Sequence, residues 1–162
     1  MEIRYVSLPG RGLTDACLTA AVRLLQAAGL RLSGTFALET DDPSCDMKLQ
    51  VLPDGPVVCI NQNLGREAKG CRLDGGALEA AVVEVSHRTE GAQALIVNKF
   101  GKLEALGHGY VPLIVEALEK GIPVLIGVNA LNRPELLMFA GEMAEALPGD
   151  PQAIADWVLA HA

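Results

Sequence analysis

Residues 3–28, IRYVSLPGRGLTDACLTAAVRLLQAA, carry the reading from which the fold follows. Ile3 to Leu8 is an apolar, strand-like run, and Pro9-Gly10-Arg11-Gly12 is turn chemistry. From Thr14 to Ala28 the apolar positions Cys17, Leu18, Ala21, Val22, Leu24 and Leu25 recur at helical spacing, and Gly29 stops the helix. A strand, a glycine turn and a helix in that order open a βαβ unit, and the rest of the chain repeats the alternation. Leu30 to Leu38 reads as a second strand. Asp46–Leu52 and Val57–Asn61 flank Pro53-Asp54-Gly55 and predict a hairpin inserted into the α/β chain. Asp74 stands where a cap belongs, before a helix over Ala77–Thr89. Ala94–Val97 and Ile122–Val128 are short apolar strands of the kind buried on both faces of a parallel sheet. Asn98 to Gly109 reads as a loop. Helices are expected over Tyr110–Lys120, Glu135–Leu147 and Gln152–Ala160, with Pro134 tolerated in a first turn. The fold class is therefore α/β, three layers around a mostly parallel sheet, as a single domain over 1–162.

Composition agrees and excludes other classes. A length of 162 residues suits one domain, at a prior of about 150 residues each. With 50% hydrophobic residues the chain is not disordered, and it has no apolar run of about 18 residues to span a bilayer. Lys+Arg 13 against Asp+Glu 20 leaves a charge of -7, which argues against nucleic-acid or acidic-membrane binding. The start, MEIRYVSLPGRG, lacks the pattern of a secretory leader, so a cytoplasmic location is expected. Cys17, Cys45, Cys59 and Cys71 never form C-x-x-C and are expected as thiols, buried small hydrophobes rather than metal ligands. His87, His108 and His161 are scattered, and no metal site is expected.

In an open α/β sheet ligands bind beyond the carboxyl ends of the strands, so function is sought in the loops there. Set against the phosphate-loop pattern G-x-x-x-x-G-K-[ST], residues 7–14 keep the glycine at Gly12 and the hydroxyl at Thr14. Ser7 replaces the first glycine and Leu13 the lysine. Backbone N–H groups at the helix start still suit an anion, with Gly10 allowing close approach and Arg11 restoring some charge. After Ala94–Val97 come Asn98 and Lys99, where magnesium-dependent phosphate chemistry places an aspartate. An amide and an ammonium there, with Lys102 nearby, favour an anion over a metal. The loop from Asn61 to Asp74 adds Arg66, Lys69 and Arg72 among Gln62, Gly65 and Gly70.

The segments CDMKLQVLPDGP, NQNLGREAKGCRLD, LIVNKFGKLEALGHG and KGIPVLIGVNALN together resemble the bacterial family known as domain of unknown function 2478. That family is in turn similar to small P-loop nucleoside-triphosphatases of the thermophile type. The resemblance implies a P-loop-like fold with a hairpin insertion and a ligand cleft. It places Gly12 and Thr14 on the phosphate loop, while Leu13, Asn98 and Lys99 depart from the lysine, the aspartate and the glutamate that follows it. It also implies an association with molybdate or nitrogenase gene neighbourhoods, which suits a tetrahedral oxyanion as ligand.

The leading expectation is a binding protein that has lost catalysis and holds a small anion: a nucleotide, phosphate or a molybdate-type oxyanion. Its ligand residues are Gly10, Arg11, Gly12, Thr14, Arg72, Asn98, Lys99 and Lys102, with magnesium only if the ligand is a nucleotide. The rival is an atypical nucleoside-triphosphatase in which Lys99 neutralises phosphate and Glu104 orients water. A third reading is an interaction protein acting as a homo-oligomer, on the acidic C-terminal segment with Leu136, Leu137, Phe139, Met143 and Leu147 at helical spacing.

Overall fold

A computed structural model describes residues 2–61 and 73–162 of the chain. Within them the elements run β1 (Ile3–Val6), α1 (Leu13–Ala27), β2 (Leu32–Leu38), β3 (Lys48–Leu52), β4 (Val57–Cys59), α2 (Gly75–Ser86) and β5 (Ala94–Val97). They continue with α3 (Lys102–Ala105), α4 (Val111–Glu119), β6 (Val124–Gly127), α5 (Arg133–Ala140), a 3-10 turn (Gly141–Met143), β7 (Ala144–Ala146) and α6 (Pro151–His161). The strands form a seven-stranded sheet in the order β4-β3-β2-β5-β6-β1-β7. β2, β5, β6, β1 and β7 pair in parallel, and the β3–β4 hairpin is added antiparallel on β2. The expected α/β sheet with its inserted hairpin is present.

The three layers follow from the period-2 alternation of the strands. Val6, Phe36, Ile96 and Leu125 face one way and pack with Leu18, Val22 and Leu25 of α1 and Ile154 and Val158 of α6. Ile3, Leu95, Val97, Val124 and Ile126 face the other way, onto α2, α4 and α5. β5 and β6 are buried along their whole length, which is why both read as continuous apolar runs. Each fully buried aliphatic side chain contributes about 1.5–3 kcal/mol, so these two strands anchor the loops that leave them.

Three expectations are corrected. The helix read over Glu135–Leu147 ends at Ala140, and Ala144–Ala146 is instead an edge strand paired parallel to β1. Gly141 breaks the helix at φ 56°, and the Leu147 N–H then reaches the Tyr5 carbonyl at 2.8 Å. Helical apolar spacing continued across the break and hid it. The segment read as loop from Asn98 to Gly109 contains the short helix α3. Finally, Cys45 and Cys59 are not thiols but form a disulfide, with Cα atoms 5.9 Å apart. The register explains it: Cys59 pairs with Lys48, and Cys45 lies just before that residue. Cys17 is a buried thiol, as expected. Cys71 lies outside the described residues. Among the described residues no helix is long and apolar enough to cross a membrane.

Candidate functional site

The carboxyl ends of three neighbouring strands are tied together by backbone bonds. The Val128 N–H donates to the Val6 carbonyl at 3.1 Å, and the Phe100 N–H to the Gly127 carbonyl at 2.8 Å. Gly127 is required there by close approach: a Cβ on it would sit 2.3 Å from the Asn98 carbonyl oxygen and 2.6 Å from Leu18 Cδ1. Above this floor opens a cleft of about 240 Å³. Its wall on the β1 side is Leu8, Gly10, Arg11, Gly12, Thr14 and Asp15; on the other side stand Asn98, Lys99 and Asn129.

The loop before α1 is shaped by Gly12, whose φ of 77° is a left-handed conformation disfavoured for residues with a Cβ. Thr14 holds the loop closed, its Oγ1 accepting from the Leu8 N–H at 3.0 Å. The hydroxyl proton of Thr14 therefore remains available to a ligand. No side chain caps α1, so its first N–H groups face the cleft with the positive end of a fifteen-residue helix. Leu13, where a phosphate loop has its lysine, is half exposed.

Asn98 is the buried polar residue of the site, only 8% exposed. Its side-chain carbonyl points inward: Oδ1 lies 2.8 Å from Thr35 Oγ1 and 3.2 Å from the Tyr110 hydroxyl, and the two hydroxyls also bond to each other, so that one of their two protons goes to Oδ1 and the other lies between them. Burial holds the Tyr110 phenol well above its ordinary titration range, so it keeps its proton here. Among the described residues no protein acceptor takes the Asn98 Nδ2 hydrogens. The amide thus turns its acceptor to the core and leaves its donors for the cleft. Lys99, directly after it, is exposed and lines the same cleft. Asp15 is half buried and makes no hydrogen bond or ion pair among the described residues; burial pushes its carboxyl above the ordinary 3.8, and Lys99 pulls it back in part.

Of the residues expected from sequence, Gly10, Arg11, Gly12, Thr14, Asn98 and Lys99 come together around this cleft. Lys102 is exposed at the start of α3 and is not among the residues lining it. Arg72 lies outside the described residues. Glu104 is neither solvated nor in the cleft: it is 3% exposed, and its two oxygens accept from the Gly101 N–H at 2.8 Å and the Tyr110 N–H at 3.1 Å. Burial pushes its carboxyl above the ordinary 4.5, while those backbone bonds oppose the shift. It ties the loop after β5 to the start of α4. The sequence signal was a glutamate three residues after Gly101, the spacing by which a side chain reaches back to a helix start.

Asp15, Asn129, Thr35 and Tyr110 were not singled out from sequence. Asp15 follows Thr14 directly and Asn129 follows β6, so position along the chain pointed to both. Thr35 and Tyr110 meet Asn98 only through the fold. A magnesium ion wants several oxygen ligands in octahedral array. Here Asp15 is the one carboxylate lining the cleft among the described residues, and the Asn98 oxygen is already engaged, so the donor set does not fit that ion.

A family model described as "Protein of unknown function (DUF2478)" matches residues 3–157. The molybdenum import ATP-binding protein ModC 2 of Bradyrhizobium diazoefficiens is 31% identical over 147 residues, 88% of this chain. The chain spans only 16% of that protein's length. The crystal structure of THEP1 from the hyperthermophile Aquifex aeolicus shares the fold, with a TM-score of 0.67 at 14% identity over 99% of both chains.

Proposed function

The chain belongs to the family of proteins of unknown function DUF2478, and on that footing we propose that it is a binding protein for a small anion, held at the ends of β1, β5 and β6 without hydrolysis. One observation carries the reading. Asn98 spends its oxygen on Thr35 and Tyr110 and keeps its amide donors for a cleft already lined by Arg11, Lys99 and the uncapped start of α1. Donors and cations from both walls can solvate an oxyanion as water would, and a hydrogen bond to a charged group is worth about 1.5–3 kcal/mol. The ligand class is nucleotide phosphate, inorganic phosphate or a molybdate-type oxyanion. The ATP-binding role in the name of ModC 2 supports a nucleotide, and its molybdenum role an oxyanion.

Hydrolysis is disfavoured by the same residues. Phosphoryl transfer depends on a metal bridging the phosphates and on a group that orients the attacking water. Glu104 has both oxygens committed to backbone N–H groups, and Leu13 brings no ammonium. Magnesium then accompanies only a nucleotide that carries it in.

Calorimetric titration with ATP, GTP, inorganic phosphate and molybdate at low salt, with and without magnesium, tests the proposal. Heat with at least one of them in the absence of magnesium, and no phosphate release from the nucleotides, is expected. No heat with any of them on folded protein overturns it. Magnesium-dependent phosphate release that falls in a Lys99→Ala variant would establish the nucleoside-triphosphatase instead.

A further inference from the structure

Among the cations and donors of the cleft stands one group of the opposite sense. Asp15 lines it beside Gly12 and Thr14, half buried, with no hydrogen bond and no ion pair within 4 Å among the described residues. A carboxylate at a helix start is locally favourable, but here it also offsets the positive end that would receive an anion. It shares the cleft with the cations Arg11 and Lys99 and the amides of Asn98 and Asn129; among the described residues no second carboxylate lines it. A fully ionised oxyanion placed among these donors would bring its oxygens toward the lone pairs of Asp15 and find repulsion. An oxyanion that keeps a proton would donate it to Asp15 while its other oxygens accept from Asn98, Lys99 and the loop.

We infer that Asp15 is a specificity-determining residue, an acceptor that selects a protonated oxyanion, hydrogen phosphate, over fully ionised oxyanions such as sulfate and molybdate. The inference rests on the anion-binding reading above and narrows its ligand class. It uses a general asymmetry of recognition: a site that hydrogen-bonds a ligand proton discriminates strongly against the analogue lacking it, because its acceptor is then left desolvated and unpaired. Burial raises the Asp15 carboxyl and Lys99 offsets part of that rise.

Titration calorimetry with inorganic phosphate, sulfate and molybdate, at matched ionic strength and neutral pH and without magnesium, tests it on the wild type and on Asp15→Asn. Asp15 is on the half-exposed first turn of α1, and circular dichroism checks that the variant is folded. The wild type should prefer phosphate by about tenfold or more, the equivalent of one lost charged hydrogen bond. Asp15→Asn, which replaces the acceptor charge with a neutral amide, should gain sulfate and molybdate affinity and bring the ratio to within about threefold. Equal affinity of the wild type for phosphate and sulfate, or a ratio unchanged in the variant, overturns the role of Asp15 while leaving the cleft an anion site. Phosphate binding that requires magnesium also overturns it, since Asp15 would then serve the ion. Binding of none of these anions overturns this inference, and if ATP and GTP also fail to bind, the reading of the cleft falls with it.

Discussion

Asn98 is oriented by what lies beneath it: two buried hydroxyls, Thr35 and Tyr110, meet its oxygen and leave its nitrogen outward. Asn98→Asp preserves the inward bonds but turns a second acceptor, with charge, toward the cleft. Anion affinity measured by calorimetry should fall by about tenfold or more, the worth of a lost bond to a charged partner plus repulsion. Glu104 sits at a different kind of position. Glu104→Ala leaves the buried Gly101 and Tyr110 N–H groups without acceptors, at about 1–3 kcal/mol each, so the urea midpoint should drop while anion affinity holds. A large loss of affinity in a folded Glu104→Ala protein would contradict its placement outside the cleft. Its pH behaviour has a defined sign. Burial raises the folded pKa above the unfolded value, so the native state binds more protons between the two. The contribution of Glu104 to stability is full below the ordinary carboxylate pKa and is lost as pH rises through the folded one. Glu104→Gln should flatten that part of the stability profile in urea titrations run across the acid range.

The elements matter because they bring these residues within reach of one ligand. Gly127 at the end of β6 lets the chain after β5 pass closely, and Gly127→Ala would force a Cβ to 2.3 Å from the Asn98 carbonyl oxygen. The strand ends must then part, so both thermal stability and anion affinity should fall together in that variant. Asp74, by contrast, caps α2 through the Ala77 N–H at 3.0 Å, away from the cleft. Asp74→Ala should cost about 1 kcal/mol of stability in urea unfolding and leave affinity unchanged. What was legible in the sequence also sorts by element. β5 and β6 were readable because burial on both faces makes a strand uniformly apolar, and the hairpin because Pro53-Asp54-Gly55 punctuates it. β7 was not, since Ala144-Glu145-Ala146 has no apolar run of its own and is a strand only because β1 offers an edge. α3 was hidden by glycines on either side of four residues. The loop residues Gly10, Arg11, Gly12, Thr14, Asn98 and Lys99 were legible because strand ends predict where loops converge. Thr35 and Tyr110 were not, because their meeting with Asn98 spans 63 and 12 residues of sequence.

At the scale of the molecule, the parallel strands gather donors and cations at one end while the protein as a whole carries a charge of -7. An acidic total and an anionic ligand are compatible when the site is small and enclosed, because exposed charges are screened over about 10 Å in dilute salt. The Cys45–Cys59 disulfide fastens the hairpin edge, and no cleft-lining residue belongs to that hairpin. A loop of this length contributes about 3 kcal/mol, so reductant should lower the urea midpoint without altering anion affinity. Anion binding in this cleft depends on the Asn98 amide facing the ligand. Its most direct test is the proton–nitrogen spectrum of the labelled protein, following the side-chain amide of Asn98 during titration with inorganic phosphate and with ATP. This amide and the backbone N–H groups of Gly12 to Asp15 should shift together and saturate at one ligand concentration. Saturating shifts elsewhere in the protein, with Asn98 and the start of α1 unmoved, would contradict it.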